Sequence, residues 1–90
     1  MELLLPIHLS FVRGDKLHFI ANDEGARAKL ARHNFPLSFS AKYPFGAPPA
    51  LKSGEYKLRA TFAPYSFVIE GRRVNATRVS IIDLEFVPIN

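Results

Sequence analysis

Phe35-Pro36-Leu37-Ser38-Phe39-Ser40-Ala41-Lys42-Tyr43 is the stretch that decides the fold. Phe35, Leu37, Phe39, Ala41 and Tyr43 fall at every second position, with Pro36, Ser38, Ser40 and Lys42 between them. Side chains of a strand point alternately to the two faces of a sheet, so this period of two predicts a half-buried β-strand with one aromatic and one polar face. The same period runs through Leu3, Leu5, Ile7, Leu9 and Phe11, and again through Tyr56, Leu58, Ala60 and Phe62. Pro6, which brings no donor to a ladder, predicts an edge position or a bulge in the first run.

Turn residues divide these runs. Arg13-Gly14-Asp15-Lys16 predicts a tight connection into Leu17-His18-Phe19-Ile20, a hairpin with charges at its tip. Pro44 to Gly54 is a loop too rich in proline and glycine for a central strand. A final pair, Ser66 to Glu70 and Thr77 to Val87, is expected to meet around Gly71-Arg72-Arg73-Val74-Asn75. Only one segment suits a helix: Asp23 caps a run rich in Ala, Leu, Lys and Arg, with acid early and bases late, over about 23–33. The predicted fold class is all-β, most economically a small five-stranded antiparallel barrel of the oligonucleotide-binding type with that short helix.

Ninety residues, 48% of them hydrophobic, suffice for one domain with its own core. The absence of cysteine removes disulfides and thiolate zinc sites and suits a reducing compartment. An acid at Glu2 and the short apolar start argue against a secretory leader, and no apolar run approaches the roughly 20 residues of a membrane helix. A soluble, cytosolic protein without a membrane role is expected.

Enzyme chemistry finds little support. His8, His18 and His33 have no spaced partners for a metal or triad, no serine has nucleophile-elbow surroundings, and Gly14 and Gly25 sit in no phosphate-loop spacing. His8 and His18 read as ordinary surface histidines, and Asp83 and Glu85 as a solvated strand face. No catalytic residue, metal or cofactor is expected.

Twelve Lys and Arg against eight Asp and Glu give a net charge of +4, which favours polyanionic partners. Eight Phe and three Tyr accompany them, several beside basic residues, and rings beside cations are what binding to an unpaired nucleic-acid strand requires. Arg13 and Lys16 at one hairpin tip, Arg72 and Arg73 at another, and Lys42 beside Tyr43 and Phe45 are the candidates for a phosphate-tracking groove. Phe35, Tyr43 and Phe45 are the candidates for base stacking, whereas alternation assigns Phe39, Phe62 and Phe67 to the core.

Four segments, Asn34-Phe35-Pro36-Leu37, Leu51 to Arg59, Ser66-Phe67-Val68-Ile69 and Ile81 to Pro88, resemble in content and order the single-stranded-DNA-binding, helix-destabilising proteins of filamentous bacteriophages. The resemblance covers roughly residues 34 to 88. It implies a homodimer paired through its terminal hairpin, with cooperative dimer-dimer contacts, that coats single-stranded DNA with little sequence preference during phage replication and packaging in the host cytoplasm. Phe35 then corresponds to a stacking position, Arg13 lies near the basic stem of a DNA-binding wing, and Arg72 and Arg73 form a loop reaching the partner's groove. Three features depart from that pattern: the helix with Arg27, Lys29 and Arg32 stands where the family has a long wing, Asp83 and Glu85 stand where relatives can have arginines, and the terminal hairpin is several residues longer. The rival expectation is a dimeric β-barrel module for protein interaction, with no affinity for nucleic acid.

Overall fold

In the computed structural model, which describes residues 1–47 and 50–88, the apolar alternations become five strands: β1 (Glu2–Arg13), β2 (Lys16–Ile20), β3 (Ser38–Lys42), β4 (Gly54–Ile69) and β5 (Arg72–Phe86). They form one antiparallel sheet in the order β3-β2-β1-β4-β5. The sheet curls until β5 comes up against β3. No ladder joins those two strands among the described residues, so the fold is a strongly curled all-β sheet with an open seam in place of the closed barrel expected. Within the predicted loop from Pro44 to Gly54, Pro48 and Pro49 lie outside the described residues.

The concave face is the core. Leu5, Ile7 and Leu9 of β1, Leu17 and Phe19 of β2, Phe39 and Ala41 of β3, Tyr56, Leu58, Ala60 and Phe62 of β4, and Ile81 of β5 are all buried. Each large member contributes roughly 1.5–3 kcal/mol by leaving water, and among the described residues no charged or polar residue is buried with them. Burial pushes the Tyr56 phenol above its ordinary value, and its hydroxyl donates to the Lys52 carbonyl at 2.7 Å.

β1 is central in the sheet, against the edge position that Pro6 suggested. Pro6 pairs with Lys57 of β4, but β2 reaches only as far as His8, so the other side of β1 has no strand neighbour at the proline. A missing donor is tolerable there.

A second correction concerns the phase of β1. Between Leu9 and Phe11 the register with β2 shifts: Leu9 faces Phe19, yet Phe11 faces His18. Ser10 is the extra residue of a bulge, and beyond it the two faces exchange. Phe11, expected inward with Leu5, Ile7 and Leu9, is 49% exposed on the convex face.

The helix α1 (Glu24–Arg32) lies between β2 and β3, within the range predicted. Asp23 Oδ2 accepts from the Ala26 amide at 3.0 Å, and Ala26 and Leu30 are buried. It ends where Asn34 takes a left-handed φ of 59°. The Phe35 amide then donates to Leu30 O at 2.9 Å and the Asn34 amide to Ala31 O at 3.1 Å. This pair of bonds is the Schellman stop, and it leaves Phe35, expected to begin the strand, three residues before β3 starts at Ser38.

The last hairpin is longer and tighter than its sequence suggested. β4 and β5 pair without a break from Ala60 opposite Ile81 to Ile69 opposite Arg72, leaving only Glu70 and Gly71 as the turn. Both central residues have positive φ, 52° and 77°, the type I′ geometry that matches the twist of the strands. Glycine accepts that conformation freely, whereas glutamate meets a steric penalty. Replacing Glu70 by Asn should therefore stabilise the protein by about 0.5–1 kcal/mol, seen as a higher urea midpoint with an unchanged slope.

Candidate nucleic-acid interface

Three basic residues meet on the convex face. Arg13 is the cross-strand partner of Lys16, and Lys16 of Lys42, so one row crosses β1, β2 and β3 at the end of the sheet. All three are exposed. Directly opposed side chains stand about 4.5–5.5 Å apart at Cβ, where like charges repel. The only ion pair this row makes among the described residues is a loose one, Lys42 Nζ to Asp15 Oδ2 at 3.8 Å, between exposed groups. The opposite end of the convex face is balanced: on β4 and β5, Lys57 faces Glu85 and Arg59 faces Asp83. The β1-β2-β3 end therefore carries an unbalanced positive charge that the Lys57–Glu85 and Arg59–Asp83 region lacks, and the distal hairpin with Arg72, Arg73 and Arg78 against Glu70 carries a second one.

Two turns hold the row. Gly14, at φ 61°, opens the two-residue connection between β1 and β2 as a type II′ turn favours. The Tyr43 amide donates to Asp15 O at 2.7 Å and ties the end of β3 to that turn. Just beyond Lys42, Tyr43 is half-buried and Phe45 is exposed, their rings edge to face at 5.3 Å.

The next row toward the middle of the sheet is Phe11, His18 and Ser40, in register across the same three strands. The rings of Phe11 and His18 stack at 4.8 Å with an interplanar angle of 16°. His18 Nδ1 and Ser40 Oγ are hydrogen-bonded at 3.1 Å. The following row holds His8, Ile20 and Ser38, and His8 Nδ1 is bonded to Glu55 Oε1 at 2.8 Å.

The structure thus brings Arg13, Lys16, Lys42, Tyr43 and Phe45 to one end of the sheet and leaves the other predicted residues elsewhere. Phe35 lies at the far end of β3, half-buried and stacked on Phe62 at 5.3 Å and 26°. It lines an open groove of about 1000 Å³ with Met1, His33, Pro64, Asn75 and Thr77. Arg72 and Arg73 sit at the tip of the β4–β5 hairpin, which extends past Met1 in the direction opposite to Arg13. They occupy opposite faces of the ribbon, Arg72 beside Ile69 and Arg73 beside Val68.

That distal ribbon carries an uncovered apolar face. Tyr65, Phe67, Ile69 and Val74 alternate onto one side and are exposed, with the Tyr65 and Phe67 rings stacked at 5.7 Å and the Arg78 guanidinium 5.1 Å over Tyr65. Phe67 is therefore at the surface, not in the core where alternation put it. β4 is a single unbroken strand, so the phase that turns Tyr56, Leu58, Ala60 and Phe62 inward places Phe67 on the opposite face from the core.

Sequence reasoning missed Phe11 and His18. The sequence carries no signal for them: Ser10 sits where the alternation already places an outward polar residue, and a bulge is set by pairing and cannot be read from one strand. Among the described residues there is no cluster of three or more His, Asp or Glu able to hold a metal, and no helix long and apolar enough to cross a membrane. Compared with known proteins, the chain matches no family model, no curated protein and no solved structure.

Proposed function

We propose that this protein binds single-stranded DNA without sequence preference, as a stoichiometric coat and not as a catalyst. The observation that carries the proposal is the in-register row Arg13-Lys16-Lys42. Three cations held side by side against their own repulsion are stabilised by a polyanion along the row. Flanking rings at Tyr43 and Phe45 supply surfaces on which bases stack without regard to identity. The β2–β3 face and the turns after β1 and β4 are also the surfaces that oligonucleotide-binding barrels use, and here they carry Lys16 and Lys42, Arg13, and Arg72.

Within this proposal a second copy covers the distal ribbon. A two-stranded ribbon with a bare apolar side is marginal by itself in water, and pairing of two such faces would bury Tyr65, Phe67, Ile69 and Val74. It would also set Arg72, which shares that face with Ile69, toward the other protomer, while Arg73 on the opposite face of the same tip stays open to a strand. Cooperative coating, and a place in the replication and packaging of a phage genome in its host's cytoplasm, extend the same proposal through the sequence resemblance.

The test is tyrosine fluorescence on titration with oligothymidylate, at low and high salt, with duplex of equal length as control. Tyr56 is buried, so the response reports on Tyr43 and Tyr65, and a Tyr65→Phe variant isolates Tyr43. Saturable quenching by the single strand, weakening steeply with salt at a slope of roughly −0.7 per phosphate contact, is the expected result. A flat titration at low salt would reject the proposal and favour the rival, a protein-interaction module acting through the apolar ribbon.

A further inference from the structure

We infer that the stacked pair Phe11 and His18 is a base-stacking platform, a part of the interface that charge and alternation alone do not reveal; this rests on the proposed binding of single-stranded nucleic acid. The motivating feature is the bulge at Ser10. Without it Phe11 would continue the buried series of Leu5, Ile7 and Leu9; with it, a large apolar ring is turned out to water and is 49% exposed. Bulges recur where a strand must re-aim one side chain for a task other than packing. Exposing this ring forfeits the stabilisation its burial would contribute, a local conflict with the folding pattern of the kind concentrated at functional sites.

The surroundings say what the ring faces. His18 lies nearly parallel to Phe11 at 4.8 Å and is hydrogen-bonded to Ser40 Oγ at 3.1 Å, so the pair is a preformed stack that a base can extend, with its imidazole oriented before any ligand arrives. The Arg13-Lys16-Lys42 row is two residues away along each strand, a spacing of about 6.5 Å. Phosphate and base of one nucleotide are separated by a similar reach, so a strand whose phosphates follow the row can lay a base on the platform. Charge complementarity selects the occupant: a neutral or basic peptide would satisfy the ring but leave the three cations opposed.

The experiment compares two probes of equal length, oligothymidylate and an abasic deoxyribose-phosphate oligomer, by competition binding and by NMR of the aromatic protons. Wild-type protein is expected to prefer the base-bearing probe, with the Phe11 and His18 ring signals moving for it and not for the abasic one. The Phe11→Ala/His18→Ala double variant should lose roughly 5- to 150-fold in affinity for oligothymidylate, the range corresponding to one stacked base. Its affinity for the abasic probe and its salt slope should be unchanged, and Phe11→Tyr should restore the preference. If the double variant keeps the wild-type preference, the platform is overturned while the charge-based proposal stands. Equal wild-type affinity for both probes overturns the platform in the same way, and no binding of either overturns both. Should Phe11→Ala fail to fold, His18→Ala and the wild-type ring shifts decide: ring signals that ignore oligothymidylate overturn the inference.

Discussion

Changing Arg13, Lys16 and Lys42 together to glutamine should cut affinity for single-stranded DNA by roughly 10²- to 10³-fold at about 50 mM salt. The size of the loss follows from counterion release. Each neutralised phosphate contributes roughly −0.7 to the slope of log K against log salt, so losing three contacts flattens it by about 2. The same variant should be as stable as the wild type or more so, because the substitution removes repulsion among opposed cations. That gain should fade at high salt, where exposed charges are screened. Opposite signs for binding and stability separate a ligand site from a structural one. Equal slopes for variant and wild type would place the phosphate path elsewhere on the molecule, with Lys57 and Arg59 excluded first because each faces an acid across β4 and β5.

Most of the fold was legible because alternation and turn chemistry are local. The runs through Leu5, Phe39 and Leu58, the glycine turn at Gly14 and the cap at Asp23 each appear in the structure where those residues predicted them. Three features were not legible, for one shared reason: each depends on a neighbour in space. Pairing sets the bulge at Ser10, so Phe11 was put on the wrong face. Pairing with β5 keeps β4 one unbroken strand from Gly54 to Ile69, so Phe67 falls out of phase with Phe62 and lies on the face away from the core. The turn at Glu70 was hidden because glutamate gives no sign of a left-handed conformation, and strand pairing alone forces it there.

The candidate site divides in the same way. That Arg13 and Lys16 share a hairpin tip was readable from their spacing, but their alignment with Lys42 is a matter of register between β2 and β3, which no single-strand pattern contains. The grouping of Phe35, Tyr43 and Phe45 as one set of rings did not survive folding: β3 separates Phe35 from the other two along its length. Phe35 instead belongs to an aromatic stack over Phe62, where its exposed edge lines the groove at the root of the distal ribbon.

That stack is the structural centre of the protein, and Phe62→Ala should be the most destabilising single substitution, at about 3–5 kcal/mol. Phe62 is 1% exposed and touches two rings at 5.3 Å, Phe35 in a near-parallel stack and Phe39 edge to face. Its backbone closes the sheet at the N-terminus as well: its amide donates to Met1 O at 2.7 Å and its carbonyl accepts from the Met1 ammonium at 3.1 Å. The side chain stands where β4 leaves the curled sheet to become the free ribbon, so a cavity here loosens the hinge between the two. Against a total stability of roughly 5–15 kcal/mol for a small domain, the loss leaves little or nothing to hold the fold. Urea unfolding followed by circular dichroism measures it, with Phe35→Ala as the comparison. Phe35 is only half-buried, and its removal should cost less than half as much. If the two substitutions cost the same, the core is centred elsewhere, and the buried aliphatic row of Leu5, Ile7 and Leu58 is where the next cavity should be made.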